Sequence, residues 1–557
     1  MLKYPRQIVY IESGSSVTWI ANSESDMIVK SIPSHCILSN TEVPPDDDFS
    51  IFMKEMRQYQ IDAIQAVSCS KHKAGQIILP CGTGKTRIQL ALHIQDMRYR
   101  DSIKNDPGIY MIAAPTIALG SELIGSAIDV MMKASVKFDI LLLNSSKSDI
   151  NDYTEKYKGV FNDRVCKFTC TTLGTEISES VNSAKRNRRH LFIVSTYDSI
   201  DRINFIPDGT FVNMCTYDEA HKIVEDDNFE KCSLIRSKID RNVFFTATPK
   251  TKNVTGGMAD TSFFGPVVYQ KSPREMVRAG EILMPTIHSV LCETDIDGDT
   301  IATHTIIDIC AKHEEIVNSR SVGRLAPKVL YASSGSDDII KIYKSEKFRK
   351  FCEDNGWQVF VFMSRDGGSY YKNFRPSDRQ TLLNDLKKIK DVDKVILLHI
   401  DILTCGIDLP AITGVIIGRD MGQSNLIQTV GRGVRLHPDD RTRLYTNTMT
   451  IERKDQFIKP TADVIIPCHF KDRIENPDRL KNLVKILYTE YGIAPEDIHT
   501  PDEFDTESDD VLESIIEKDI TVSDKSVNLV HILDEIISET LSEFFGNLTM
   551  EQLINCV

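Results

Sequence analysis

The chain has 557 residues, of which 41% are hydrophobic and 26% are charged. These values are ordinary for globular proteins, and the length allows two or three domains with separate cores. The formal net charge of −14 excludes a uniformly basic protein, and no apolar run is long enough to span a bilayer. Because the 13 cysteines make no close-spaced zinc-ribbon pairs, we expect free thiols in an intracellular, soluble protein without membrane contacts.

The N-terminal part of the chain predicts a small β-rich region over residues 1–48, which ends in the linker-like Pro44-Pro45-Asp46-Asp47-Asp48. After it, short apolar runs alternate with longer helical patterns. This alternation indicates an α/β domain with a parallel sheet covered on both faces. The candidate strands of this domain are residues 76–79, 110–113, 191–194, 211–214 and 243–245.

A glycine-rich loop follows the first of these strands. It reads Leu79-Pro80-Cys81-Gly82-Thr83-Gly84-Lys85-Thr86, and a helix is predicted to begin near Lys85. Glycines let the backbone curl so that its N–H groups face phosphates, and the start of the helix adds its dipole. Lys85 supplies charge for the β- and γ-phosphates, and Thr86 supplies a hydroxyl for magnesium. The loop therefore predicts an ATP site rather than a chance glycine-rich turn.

An acidic pair is predicted at the end of a later strand, in the run Tyr217-Asp218-Glu219-Ala220-His221. Asp218 fits the carboxylate that holds magnesium. Glu219 fits the group that orients and deprotonates the attacking water. An isolated acidic pair would usually face solvent, but the position after a strand and downstream of the phosphate loop favours a catalytic role.

A second α/β domain is predicted after residue 275. Ser272 and Pro273 are typical of a helix start, and Gly280 offers its end. Further strands are predicted at residues 328–331, 358–361, 395–398, 414–417 and 463–466. We therefore expect four regions, with boundaries at residues 1–48, 49–275, 276–474 and 475–557.

The last region is predicted to be helical and acidic. Residues 529–541 carry apolar side chains at helical spacing, which favours a packing helix over a dedicated partner site. A possible protein partner of this region stays open. Its acidic residues include Glu496, Asp497, Asp502, Glu503, Asp505, Glu507, Asp509 and Asp510. The basic cluster at residues 185–189 fits either a solvated loop or part of a nucleic-acid channel.

Eight short runs, taken together, resemble the motifs of superfamily-two helicases. The branch that they resemble is the DEAH-type, restriction-motor-like one, which includes helicases of large DNA viruses and cytoplasmic genetic elements. The resemblance covers roughly residues 50–470 and implies two tandem RecA-like domains in a cytoplasmic or viral protein. Besides the phosphate loop and the acidic box, the runs are Arg57–Gln60, Ala114–Thr116, Ser195–Tyr197, Thr246–Pro249, Leu403–Asp408 and Gln428–Arg435.

The resemblance implies roles for residues outside the phosphate loop and the acidic pair. Arg57 and Gln60 would read adenine, and Gly406 and Asp408 would contribute to ATP binding together with Gly82, Thr83 and Gly84. Gln428, Arg432 and Arg435 would act in catalysis, with the two arginines reaching the γ-phosphate from the second domain. His221, Thr246 and Thr248 would couple hydrolysis to movement, and Thr116, Thr196 and Thr404 would contact the nucleic-acid backbone.

The sequence therefore predicts an ATP hydrolase that moves along nucleic acid, with ATP and Mg²⁺ as its cofactors. DNA is the favoured substrate. An RNA helicase or transcript-release factor, and the motor subunit of a restriction-type complex, stay open. An inactive nucleotide-binding scaffold is disfavoured, because it need not keep Lys85, Asp218, Glu219, Arg432 and Arg435 together.

Overall fold

The computed structural model separates into two compact units, residues 1–79 with 84–270 and residues 80–83 with 271–557. The region boundaries expected from the sequence stay predictions. The residues that the structure describes are 16–20, 29–33, 52–53, 55–134, 136–144, 165–224, 226–250, 257–292, 303–320, 325–333, 335–363, 369–400, 411–419, 421–469, 477–493 and 498–499.

The first unit contains two sheets in its described residues. The smaller is an antiparallel pair of β1 (Ser16–Ile20) and β2 (Val29–Pro33), in agreement with the predicted β-rich N-terminal region. The larger has eight strands, all paired in parallel, in the order β10-β3-β9-β8-β4-β7-β5-β6. Its strands are β3 (Ala74–Ile78), β4 (Ile109–Ala114), β5 (Phe138–Leu143), β6 (Val165–Cys170), β7 (His190–Thr196), β8 (Met214–Tyr217), β9 (Asn242–Thr246) and β10 (Val267–Gln270).

Helices connect the strands of this sheet. Because β3, β4, β7, β8 and β9 are buried along their whole length, their apolar sequences fit a sheet covered on both faces. The α-helices are α1 (Gln58–Cys69), α2 (Lys85–Ser102), α3 (Ile117–Lys133), α4 (Gly174–Arg186), α5 (Asp226–Ile235) and α6 (Thr261–Phe264). Short 3₁₀ segments are Tyr197–Phe205, Ala220–Val224, Arg236–Lys238 and Gly257–Ala259.

The second unit has a nine-stranded sheet in its described residues, with the order β15-β14-β13-β16-β12-β17-β18-β11-β19. The pairs of β14 with β13 and β15 are antiparallel, and the others are parallel. The strands are β11 (Pro285–Cys292), β12 (Lys328–Ala332), β13 (Trp357–Met363), β14 (Ser369–Lys372), β15 (Arg375–Ser377), β16 (Lys394–His399), β17 (Gly414–Ile417), β18 (Ala462–His469) and β19 (Ile498–His499).

The helices of the second unit begin with α7, whose start matches the sequence prediction. Ser272 accepts a hydrogen bond from the Glu275 N–H, and the Glu275 carboxylate accepts one from the Ser272 N–H, which is a capping box. The helices are α7 (Pro273–Arg278), α8 (Thr303–Arg320), α9 (Ser336–Lys344), α10 (Glu346–Asn355), α11 (Arg379–Leu386), α12 (Gln423–Gly433), α13 (Pro438–Tyr445) and α14 (Pro477–Tyr491), with a 3₁₀ segment at Lys454–Gln456. No helix in the described ranges is long and apolar enough to cross a bilayer.

The predicted fold class, two tandem parallel-sheet α/β domains, is confirmed. One predicted strand is misplaced, because residues 211–213 precede β8 rather than belonging to it. Phe211 is exposed, and the Asn213 side chain accepts a hydrogen bond from the Ile109 N–H, so regular pairing of β8 begins only at Met214. In the acidic C-terminal region, α14 and the short β19 are described, whereas the predicted helix at residues 529–541 lies outside the described residues.

Candidate ATP site

The phosphate loop has the backbone conformation that its glycines permit. Gly82 and Gly84 both have a φ of +78°, in the left-handed region that glycine adopts without strain. Gly84 is also the N-cap of the 18-residue helix α2, and a Cβ there would lie 2.6 Å from Gln60 Nε2. The Thr83 hydroxyl closes the turn by donating to the Pro80 carbonyl at 2.7 Å. This conformation suits a loop that presents N–H groups to an anion.

The acidic pair directly follows β8, and its backbone is held in an uncommon conformation. Glu219 has a φ of +49°, which for a residue other than glycine costs about 1–3 kcal/mol. The Asp218 N–H donates to the Ala113 carbonyl at 2.8 Å, and the Tyr197 hydroxyl donates to the Asp218 carbonyl at 2.6 Å. These contacts hold the turn that carries both carboxylates at the edge of the sheet.

Lys85 and the acidic pair converge within the first unit. Lys85 Nζ lies 3.9 Å from Glu219 Oε1 and donates to the Leu79 carbonyl at 3.3 Å. Burial raises the pKa of Asp218 to about 6; the neighbouring Glu219 carboxylate raises it too, whereas Lys85 opposes the shift. A nearby cation would stabilise this buried carboxylate, and carboxylate and hydroxyl oxygens are hard ligands. Asp218, and Thr86 in the first turn of α2, carry oxygen atoms of the kind that Mg²⁺ binds, and their roles as its ligands stay predictions.

The three predicted coupling residues lie together. His221 Nδ1 and Thr246 Oγ1 are 3.0 Å apart, and the Thr248 N–H donates to the same hydroxyl at 3.1 Å. His221 Nδ1 also lies 3.5 Å from Glu219 Oε2. Burial lowers the pKa of His221 to about 4, so the ring is neutral near pH 7. The acidic box and the end of β9 are thus connected through one buried histidine.

Gln60 and Arg57 lie at the start of α1. The Arg57 N–H donates to Gln60 Oε1 at 3.0 Å, and an Arg57 guanidinium N–H donates to the Tyr59 hydroxyl at 3.2 Å. Gln60 is 4% exposed, and its amide nitrogen faces Gly84, so this side chain lies beside the phosphate loop. The roles of both residues in adenine recognition stay predictions.

Two of the three threonines predicted to bind nucleic acid lie at one edge of the first sheet. Thr196 is the last residue of β7 and pairs with Ala114, the last residue of β4; Thr116 follows two residues later. Carboxyl ends of neighbouring parallel strands are where α/β proteins bind ligands. Thr404 lies outside the described residues, as do Gly406 and Asp408.

The basic cluster at residues 185–189 is partly engaged in contacts within the first unit. Arg189 is 6% exposed, and its guanidinium donates to Asp139 at 2.9 Å and to the Phe138 carbonyl at 3.2 Å. Arg186 pairs with Glu179. Arg189 is therefore a buried structural residue rather than part of a solvated loop.

The predicted arginines of the second unit lie at the end of α12. Gln428 and Arg432 are one turn apart and share a helix face. Arg435 follows the helix, where the buried Lys459 donates to the Arg435 carbonyl at 2.8 Å and to the Gly433 carbonyl. The backbone that carries Arg435 is thereby fixed, whereas the catalytic roles of Gln428, Arg432 and Arg435 stay predictions.

Several residues that support these groups were missed by the sequence reasoning. Gln89 donates to Asp218 Oδ1 at 2.9 Å, and Lys459 holds the chain beside Arg435. For Gln89 a signal existed, because residues four apart lie on the same helix face and Gln89 is four residues after Lys85. Nothing comparable pointed to Lys459, whose contacts join two separate segments.

Comparisons with known proteins found one matching family model and several similar structures. Residues 53–251 match the family model described as "Type III restriction enzyme, res subunit". No curated protein sequence matches the chain. Among solved structures, the chain is similar to the ATP-dependent Type ISP restriction-modification enzyme LlaBIII bound to DNA, with a TM-score of 0.54 and 15% identity over 85% of this chain and 31% of that one.

Two further structures show weaker similarity. A nuclease-deletion mutant of the Type ISP enzyme LlaGI, in complex with a DNA substrate mimic, gives a TM-score of 0.31 and 19% identity over 48% of this chain and 23% of that one. Dbp5 of S. cerevisiae, bound to RNA and ADP BeF3, gives 0.49 and 13% identity over 85% of this chain and 97% of that one.

The family match and the shared fold confirm the resemblance to superfamily-two helicases of the restriction-motor-like branch. The matched residues 53–251 include the phosphate loop and the acidic box. The chain spans 31% of the length of LlaBIII and 23% of that of LlaGI. For this chain, the activities of those larger enzymes are therefore only proposals.

Proposed function

We propose that this chain is an ATP-dependent helicase or translocase that acts on DNA and hydrolyses ATP with Mg²⁺. The observation that carries the proposal is the convergence of Lys85, Asp218 and Glu219 beside the N-terminus of α2. A nucleotide-binding scaffold would need the phosphate loop, but it would not need a carboxylate held in a strained turn beside the loop lysine.

The phosphate loop and the residues around it each have a distinct task in this proposal. The N–H groups of Gly82, Thr83 and Gly84 cradle the phosphates, and Lys85 stabilises the β- and γ-phosphates. Thr86 and Asp218 hold Mg²⁺, which neutralises phosphate charge when bound. Glu219 orients the attacking water and accepts its proton. Gln60 and Arg57 bind the adenine.

In this proposal, the second unit supplies the groups that stabilise the transition state. Arg432 and Arg435 stabilise charge on the transferred phosphoryl group, Gln428 acts with them in catalysis, and Gly406 and Asp408 contribute to ATP binding. Closure of the two units around ATP then changes their grip on the nucleic-acid strand. His221, Thr246 and Thr248 couple this change to ATP hydrolysis. Movement along the strand follows from cycles of closure and release.

DNA is the proposed substrate, with contacts from Thr116, Thr196 and Thr404 to its backbone. The branch that the chain resembles and the DNA-bound LlaBIII support this choice. The restriction-subunit family model favours one alternative, a motor subunit that works with a separate nuclease. RNA is the other alternative, and the binding experiment below distinguishes it.

Binding to DNA is expected to depend strongly on salt and weakly on base sequence, because backbone contacts carry no sequence information. The affinity of the full chain for fluorescein-labelled single-stranded DNA should fall by at least about tenfold between roughly 50 and 200 mM salt. Anisotropy titrations with two DNA sequences and a matched RNA would measure this.

The Thr116→Val variant should weaken binding to both DNA sequences equally. Thr446→Val, which changes an exposed threonine of the second unit, is the matched control and should bind like the unmodified chain. Tighter binding to RNA would favour the RNA alternative. A strong sequence preference with little salt dependence would contradict backbone recognition.

A further inference from the structure

A chain of buried polar side chains leads from the interior of α2 to Asp218. His93 Nε2 lies 3.0 Å from Thr216 Oγ1, the Thr216 hydroxyl donates to Gln89 Oε1 at 3.1 Å, and Gln89 Nε2 donates to Asp218 Oδ1 at 2.9 Å. His93, Thr216 and Gln89 are each 0% exposed, and Asp218 is 7% exposed. None of the first three belongs to a motif recognised in the sequence.

The hydrogen bonds from His93 to Asp218 all donate in the same direction. The single proton of the Thr216 hydroxyl is given to Gln89, so His93 Nε2 must be the donor to Thr216. Burial lowers the pKa of His93 to about 3, which keeps the ring neutral, and the hydrogen bond to Thr216 places its one proton on Nε2. A flipped Gln89 amide would direct its oxygen at the Asp218 carboxylate and its NH₂ group at the Thr216 proton. The Asp218 carboxylate and the Thr216 hydroxyl therefore favour the same orientation of the amide, with Nε2 toward Asp218.

We propose that Gln89 is a positioning residue that sets the orientation of Asp218 toward Mg²⁺, with Thr216 and His93 fixing the Gln89 amide. The proposal rests on the assignment of Asp218 as the magnesium ligand in the proposed function. A carboxylate with one oxygen held by an amide N–H presents its other oxygen in a defined direction. Hydrogen-bond partners of this kind hold metal ligands in position, and their loss typically weakens metal affinity by about 10–100-fold.

The Gln89→Leu variant of the full chain tests the proposal, because leucine fills a similar volume without the donor. Binding of a fluorescent ATP analogue would be titrated with MgCl₂, and separately measured in EDTA. The Mg²⁺ concentration for half-maximal tight binding should rise about 10–100-fold. Affinity in EDTA should be unchanged, because the phosphate loop and Lys85 are intact. General damage to the first unit would instead weaken nucleotide binding both with Mg²⁺ and in EDTA.

Gln76→Leu is the matched control. Gln76 is also a buried glutamine of the first unit, but its amide donates to the Met258 and Gly265 carbonyls instead of to the acidic pair. The Gln76→Leu variant should lose about as much thermal stability as Gln89→Leu and keep the Mg²⁺ requirement of the unmodified chain. An equal shift in both variants would mean that the effect comes from destabilisation, which would overturn the proposal.

Two changes at Thr216 keep the test decisive if Gln89→Leu does not fold. Thr216→Val removes the hydroxyl that orients Gln89 and should raise the Mg²⁺ requirement, whereas Thr216→Ser retains the hydroxyl and should restore the normal requirement.

An unchanged requirement in folded Gln89→Leu, or in Thr216→Val, would overturn the positioning role alone. Binding without any Mg²⁺ dependence in the unmodified chain would overturn the Asp218 assignment as well. A shifted requirement in a chain that lacks nucleic-acid-stimulated hydrolysis would support the positioning role and contradict the motor function.

Discussion

Replacing Glu219 with glutamine is expected to lower the kcat of ATP hydrolysis by about 10²–10⁴-fold, the usual contribution of a general base. ATP should still bind, because glutamine keeps the shape of the side chain while Lys85, Thr86 and Asp218 are unchanged. Turnover by steady-state phosphate release and binding of a fluorescent ATP analogue would measure the two effects.

Glu230→Gln is the control for this change, because it makes the same substitution at an exposed position of α5. It should hydrolyse ATP at the normal rate. Lys85→Ala should differ from Glu219→Gln by losing binding as well as hydrolysis, since it removes the positive charge that stabilises the phosphates. Normal turnover in Glu219→Gln would show that another group activates the water.

Replacing Arg435 with alanine is expected to reduce stimulated turnover by about 10³-fold or more, the size of an arginine-finger effect. Nucleotide binding should be close to normal, because the phosphate loop, Lys85 and the acidic pair are unchanged. The paired measurement is affinity for a fluorescent ATP analogue and steady-state hydrolysis with saturating DNA.

Arg453→Ala serves as the control for Arg435→Ala. Arg453 is an exposed arginine of the same unit, paired with Asp455 at 3.2 Å, and its loss should leave turnover unchanged. If Arg435→Ala retained normal stimulated turnover, Arg435 would have no role in stabilising the transition state. A comparable loss in Arg453→Ala would point to a general effect on the second unit.

The parts of the site that the sequence predicted are those set by local chemistry. Gly82 and Gly84 indicate positive φ values, and Lys85 and Thr86 follow them at the start of a helix. The strand, the loop and the helix could therefore all be recognised. The strand at residues 414–417 was predicted with its observed bounds, because Gly-Val-Ile-Ile is a short apolar run fully buried in a parallel sheet.

The parts that the sequence did not predict depend on contacts between distant segments. Thr216 and Gln89 are 127 residues apart, and they meet only because β8 lies beside the helix that follows β3. β5 was missed although Phe138–Leu143 is apolar, and β8 was placed three residues early because Phe211 and Val212 are as apolar as the strand itself. Periodicity does not determine sheet register, and so it could not find these contacts.

The proposed nucleic-acid-driven ATPase activity can be measured directly. Steady-state hydrolysis of ATP by the full chain would be followed at fixed salt with no nucleic acid, single-stranded DNA, duplex DNA and RNA, with Glu219→Gln as the background. We expect low hydrolysis by the chain alone, a clear increase with DNA that exceeds the increase with RNA, and no hydrolysis in Glu219→Gln. A rate that no nucleic acid changes, or one that persists in Glu219→Gln, would contradict it.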